Sequence, residues 1–196
     1  PYATERDNKI EALLAEHGPG LKRFRDQVIF EENDILKSDG KPYTVFTPYK
    51  NSWLRKFRED LTSFVPKKMP ENLTFYQDPI RFPSREELKL QKSNIRVRDY
   101  DLSVIPDYHK YRDIPAVDKT SYLSPHLRFG TVGIRELVLK AYNENATFLN
   151  ELIWREFFMQ ILYHFPHVVT GNFKSLYDDI SWRNDENEFR RWCKGE

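Results

Sequence analysis

Cysteine is almost missing from this 196-residue chain: Cys193 stands alone, which excludes an internal disulfide framework. A single thiol suits a reducing compartment, so a cytoplasmic protein is expected. Long apolar runs are missing too. None approaches the ~20 residues that cross a bilayer, and no secretory leader pattern opens the chain, so no membrane association is expected. There is no excess charge of either sign: 31 Lys and Arg face 30 Asp and Glu. Whole-chain attraction to nucleic acid is thereby excluded, and any basic surface has to be local. Internal repeats and low-complexity segments are absent, and no metal-ligand set is assigned.

What the chain has is aromatic side chains: 4 Trp, 11 Tyr and 14 Phe. Two readings fit. One is a large helical core with amphipathic rings at its margins. The other is a pocket that stacks flat ligands or bases. Composition leaves both open, and the length suits one or two domains.

Patterning divides the chain into three parts. Residues 4–17 read as an amphipathic helix with Thr4 as cap, Ile10, Leu13 and Leu14 as apolar positions, and Gly18-Pro19 as its stop. Val28-Ile29-Phe30 reads as a short strand. Thr47 as cap with Pro48 at the first helical position starts a second helix, which runs to about Glu59 and buries Trp53, Leu54 and Phe57. Helix, strand and helix suit the tail end of an α/β domain over residues 1–65. From 66 to 115, prolines at 66, 70, 79, 83, 106 and 115 punctuate polar sequence, with one brief helical interval near Ser84 to Gln91. That stretch reads as an interdomain connection, and its cluster from Arg81 to Arg98 reads as solvated linker charge. Residues 116–196 are helical and aromatic. Ser124-Pro125 starts a short helix ended by Gly130, Ile134 to Tyr142 mark a second, and Phe148 to about Phe165 forms the longest, stopped by Pro166. Asp185-Glu186-Asn187-Glu188 offers a capping box for a terminal helix bearing Phe189 and Trp192.

Two motifs could carry chemistry. In the longest helix Glu151, Trp154 and Arg155 share one face at i, i+3 and i+4, setting a carboxylate, an indole and a guanidinium side by side. The plain alternative is an exposed Glu151–Arg155 ion pair with Trp154 filling core. Upstream, Thr120-Ser121-Tyr122-Leu123-Ser124-Pro125 places three hydroxyls at a helix start, where backbone N–H groups make a natural phosphate site. Ordinary capping by Ser124 explains one of them and leaves Thr120 and Ser121 unexplained.

Taken in order, these motifs resemble the DNA photolyase/cryptochrome family across nearly the whole chain. Thr120-Ser121-x-Leu123-Ser124-Pro125-x-Leu127-Arg128-Phe129-Gly130 and Glu151-Leu152-Ile153-Trp154-Arg155-Glu156-Phe157 resemble its flavin-binding domain. Trp182-Arg183-Asn184-Asp185 and Phe189-x-x-Trp192-Cys193-x-Gly195 continue the match, and Tyr43 to Trp53 resemble the end of its light-harvesting domain. The resemblance implies an α/β remnant of a Rossmann-like antenna domain followed by a mainly α-helical, partial FAD-binding domain. It implies FAD as cofactor, active when reduced, and damaged DNA carrying pyrimidine dimers as partner. Excited reduced FAD donates an electron to a flipped-out dimer, which then splits.

Residue by residue, the resemblance implies that Thr120, Ser121, Leu123 and Ser124 hold the FAD diphosphate. Tyr108 contacts FAD, Arg155 lies against the flavin and Phe148 lines its pocket. Glu151 hydrogen-bonds the dimer, Trp154 stacks on its bases, and Trp182 belongs to a tryptophan chain that photoreduces flavin. Glu at 151, where enzymes for the six-four photoproduct tend to have Gln, favours a cyclobutane-dimer photolyase of class I. The alternative within the family is a blue-light photoreceptor that signals through protein partners. No second antenna chromophore is assigned, and the position of a folate-binding Glu in some relatives falls on Ala3.

The resemblance further implies an internal fragment lacking the family's second half. Such a fragment is expected to be inactive in repair and to bind FAD weakly if at all. Full-length relatives are usually monomeric, whereas surfaces left uncovered in a fragment favour self-association.

Overall fold

The structure, a computed structural model, describes residues 2–18, 20–24, 26–65, 71–72, 74 and 81–196. The expected helix stop at Pro19 and the connection prolines Pro66, Pro70 and Pro79 lie outside these residues. Among the described residues the chain is mainly helical and forms no β-strand. Its one isolated β-bridge, Leu36 to Pro42, spans a turn that Gly40 makes at φ +77°.

Helix α1, Tyr2–Glu16, begins before Thr4, which therefore sits inside it instead of capping it. It buries no residue, and Ile10 and Leu13 remain exposed. Its tie to the following segment is Arg23, which donates to Asn8 at 2.8 Å and Glu11 at 2.7 Å.

Helix α2, Phe46–Glu59, starts two residues earlier than its cap signal suggests. Val45 is the N-cap and offers no side-chain bond, so Thr47 falls second and Pro48 third in the helix. Proline is tolerated there because first-turn N–H groups have no intrahelical acceptor anyway. Tyr49, Trp53 and Phe57, spaced by four, form the buried face, and Leu54 is partly buried.

The expected strand at Val28-Ile29-Phe30 is an irregular bend. Its backbone donors are taken by a side chain: the N–H groups of Ile29 and Phe30 donate to the Glu156 carboxylate at 2.8 and 3.1 Å. With those donors satisfied, no neighbouring strand is needed.

Residues 81–100 are exposed throughout. The helical interval expected near 84–91 is only a turn, although Ser84 and Glu87 exchange capping-box bonds. Leu88 and Leu90 find nothing to pack on, Lys89 takes φ 54°, and a one-turn nucleus without burial does not propagate. At 101 the chain turns inward, burying Val104 and Ile105 before helix α3, Tyr108–Tyr111.

Helix α4 is Leu123–Phe129, ended by Gly130 at φ 67°, a left-handed cap that glycine adopts freely. Helices α5, Ile134–Glu144, and α6, Ala146–His164, follow as an antiparallel pair. Asn145 caps α6 by accepting from the N–H groups of Thr147 and Phe148, both at 3.0 Å. One core runs through both halves of the chain, joining Phe30, Trp53 and Phe57 to Ile105, Leu137 and Ile153. Ile153 is fully buried at its centre, and truncating such a side chain costs about 2–5 kcal/mol.

From Val169 onward every residue is exposed. Helix α7, Glu186–Lys194, is capped by Asp185 as its capping box implies, and leaves Phe189 stacked on Trp192 in the open.

Candidate functional site

Helix α6, the start of α4 and helix α3 enclose an open cleft of about 680 Å³. Cofactor sites span roughly 300–1,000 Å³. One wall carries Thr120, Ser121, Leu123 and Ser124, and α6 contributes Phe148, Glu151 and Arg155 to the other. Tyr108 and Arg112 close one end, with Lys119 at the rim. The structure thus brings together eight of the ten residues singled out in the sequence.

The hydroxyl wall follows from an unusual backbone. Tyr122 is the N-cap of α4, held at φ 53°, ψ 22°, and supplies no side-chain capping bond. Ser124 is therefore the second helical residue, and the expectation that it caps the helix is corrected. A cap must precede the first helical residue, and Leu123 already occupies that place. Among the described residues no protein group hydrogen-bonds the hydroxyls of Thr120, Ser121 or Ser124, which leaves all three available to a ligand.

The opposite wall is tied by ionic and aromatic contacts. The Tyr108 ring meets Phe148 edge-on, with centroids 5.0 Å apart. Burial, followed by the nearby Glu151 carboxylate, raises the Tyr108 phenol above its ordinary range. Arg112 lies over the Tyr108 ring at 5.4 Å and donates to Glu151 at 2.6 Å. The hydrogen bond to Glu151 raises the Arg112 guanidinium above its usual value. Glu151 therefore pairs with Arg112 and not with Arg155, so the intrahelical ion pair considered from sequence does not form. Arg155 donates instead to the Gln27 carbonyl at 2.7 Å, and partial burial lowers its guanidinium.

Two of the sequence-derived residues stay apart from the cleft. Trp154 packs face to face on Phe46, with centroids 3.6 Å apart and planes 8° apart, and its indole also stacks with Phe158 at 5.4 Å. Trp182 is 71% exposed in the open C-terminal stretch.

Sequence reading missed a polar stripe on α6. Glu156, Gln160 and His164 recur every four residues, and all three bind the backbone of residues 29–32. Glu156 is buried and also accepts from the Trp53 indole at 2.8 Å. Desolvation lifts its carboxyl to about 7, against the pull of the Ile29, Trp53 and Phe30 donors. The fourfold spacing of polar residues on an otherwise apolar helix was the available signal. Arg112 was missed as well, although it stands four residues after Tyr108.

Unpaired hydroxyls facing two rings and a guanidinium make a receptor suited to a flat aromatic ligand carrying phosphate. Comparison with known proteins supplies the family. Residues 1–71 match the model of DNA photolyase, and residues 148–196 match that of the FAD binding domain of DNA photolyase. Among curated relatives, the deoxyribodipyrimidine photo-lyase of Halobacterium salinarum is 32% identical over 99% of this chain and 46% of its own length. That of Synechococcus sp. is 28% identical over 100% of this chain and 46% of its own. The Escherichia coli K12 protein of the same name is 27% identical over 97% and 45%. Over residues 1–71 and 148–196 the chain is similar to the DNA photolyase family. It spans somewhat under half the length of these relatives. No helix among the described residues is long and apolar enough to cross a membrane.

Proposed function

We propose that the cleft is part of the FAD site of a light-dependent DNA repair enzyme that splits cyclobutane pyrimidine dimers. The observation that carries this reading is the convergence of seven residues on one cavity: Tyr108, Thr120, Ser121, Leu123, Ser124, Phe148 and Arg155. Three hydroxyls with no protein partner fit a diphosphate, and Tyr108, Phe148 and Arg155 fit the aromatic parts. Bound there, reduced FAD would supply the photoexcited electron.

The chain's own groups then have defined tasks. Ser121 and Ser124 orient the diphosphate, with Lys119 supplying positive charge at the rim. Arg155 stays fixed by Gln27 beside the ring system. Glu151, held by Arg112 at the cleft mouth, accepts a hydrogen bond from a base N–H of the dimer and positions it. For Trp154 to stack on a base, Phe46 or Phe158 has to leave its face. Trp182 is retained as an outer electron carrier, and damaged DNA is the partner. Residues 1–65 are assigned to the end of an α/β antenna domain, 66–115 to the connection and 116–196 to the first part of the helical FAD domain. The whole protein is assigned to the cytoplasm. Repair is favoured over photoreception because Glu151 lines the cleft and the curated relatives bear the photo-lyase name.

A fluorescence titration of FAD into this chain tests the site. Saturable quenching that Arg155→Ala weakens supports the assignment. Absence of quenching in the unaltered chain would overturn the proposal that these residues form a preorganised half-site.

A further inference from the structure

The hydroxyl-bearing loop is held by residues that never touch the cleft. Tyr122 adopts a left-handed conformation at φ 53°, uncommon for an aromatic residue and costing about a kcal/mol or more. Its phenol donates to Asp118, and Arg98 donates to the same phenol oxygen. The Arg98 guanidinium also lies over the Tyr122 ring at 4.7 Å and reaches Asp118 at 3.4 Å.

The strap continues on both sides of Arg98. Its carbonyl is bonded at 2.8 Å by His126 Nε2, so that nitrogen carries the proton. His126 Nδ1 meets the Thr131 hydroxyl at 2.8 Å, and its ring packs edge-on against Tyr100. Three residues along, the Asp101 N–H donates to the Ser121 carbonyl at 2.9 Å. Residues 98–101 are thus fastened to the loop before, at and after its strained residue.

We propose that Arg98, Tyr122 and Asp118 form a clasp that positions Ser121, Leu123 and Ser124 for the diphosphate of the cofactor. This rests on the FAD assignment above and adds three positioning residues to it. Tyr122 separates Ser121 from Leu123, so its left-handed turn sets the direction from which the two serines face the cleft. Without the clasp, the residue relaxes toward an ordinary backbone conformation and the hydroxyls diverge. A clasp of exposed groups contributes little to global stability, which separates a positioning role from a folding one.

The test compares FAD with riboflavin, which presents the same ring system without phosphate, by fluorescence titration of this chain. Tyr122→Phe keeps the ring beneath Arg98 and removes the phenol's bonds to Asp118 and Arg98, whereas Arg98→Ala removes the guanidinium's contacts and leaves the Tyr122–Asp118 bond. Each is expected to weaken FAD binding roughly tenfold, the effect of about one charge-assisted hydrogen bond, while riboflavin affinity and the thermal midpoint stay unchanged. Tyr122→Gly keeps access to the left-handed backbone but lacks the clasp, so it should lose affinity as Tyr122→Phe does. Equal losses for FAD and riboflavin, or no loss for FAD, would overturn the clasp while leaving the FAD assignment in place. An unaltered chain that binds neither ligand would overturn the preorganised half-site and the clasp with it.

Discussion

The Trp53 indole N–H donates to the buried Glu156 carboxylate at 2.8 Å, joining helix α2 to helix α6 across 103 residues of sequence. The same oxygen accepts from Phe30 N–H at 3.1 Å and faces the Tyr49 hydroxyl at 3.5 Å, while the other accepts from Ile29 N–H at 2.8 Å. Four donors from two separate segments therefore converge on one side chain. Its acceptors replace the strand partners that residues 28–30 lack.

Glu156→Gln should accordingly be costly despite its conservative size. An amide offers one acceptor oxygen, and its NH₂ group must face either Ile29 N–H or the cluster of Trp53, Phe30 and Tyr49 donors. One buried donor or more is left without a partner, for a loss of about 2–3 kcal/mol. Urea denaturation of the two proteins reads this directly. An unchanged midpoint would mean that the segment at 27–32 is held by Arg155 and His164 instead.

The same carboxyl gives a pH dependence with a definite sign. Its folded value of about 7 lies above the ordinary 4.5, because desolvation outweighs the donors. Between those values the folded state holds more proton than the unfolded state, so stability falls as pH rises. The contribution is fully present below about 4.5 and is lost as pH passes 7, a change of about 3 kcal/mol at most. Denaturation midpoints measured from pH 5 to pH 8 should decline, and the decline should flatten in Glu156→Gln. A rising midpoint in the unaltered chain would place the carboxyl's folded value below its unfolded one.

Much of this architecture was legible in the sequence, and the gaps have physical causes. Helix α6 announced itself through its length and its proline stop, and α7 through Asp185. The residues of the hydroxyl wall were identifiable because three hydroxyls exceed what one helix cap requires. The run Val28-Ile29-Phe30 misled because β-branched and aromatic residues describe a buried extended segment equally well whether its N–H groups meet a strand or a carboxylate. Glu156 could not be placed by local pattern, since its partners lie more than 100 positions away. The family resemblance implies a ligand-facing role for Trp154, yet Phe46, from the other half of the chain, covers one of its faces.

Asn145 is the second point where distant segments meet. Its side-chain oxygen caps α6, while its amide nitrogen reaches the Pro106 carbonyl at 2.9 Å and His109 Nδ1 at 3.0 Å. Asn145→Ala removes the cap and the amide's bonds to Pro106 and His109, so a loss of about 1–2 kcal/mol is expected. Asn145→Ser keeps a capping oxygen and loses the amide donor, and should fall between the unaltered chain and Asn145→Ala in a thermal melt. Equal midpoints for Ala and Ser would mean that the cap contributes nothing measurable.

Glu151 and Arg112 separate the proposed chemistry from the fold. Their 2.6 Å ion pair sits at the cleft mouth with both side chains about one-third exposed, where salt and water screen it. Neither Glu151→Ala nor Arg112→Ala should move the denaturation midpoint appreciably. In the full-length protein, Glu151→Ala should lower dimer repair several-fold with flavin content unchanged, because it removes a hydrogen bond that positions the dimer in the cleft. Glu151→Gln keeps an acceptor oxygen in the same place and should recover part of that loss. The readout is repair yield per absorbed photon at equal flavin occupancy. Repair unaffected by Glu151→Ala would remove this carboxylate from the reaction and leave it as the partner of Arg112 alone.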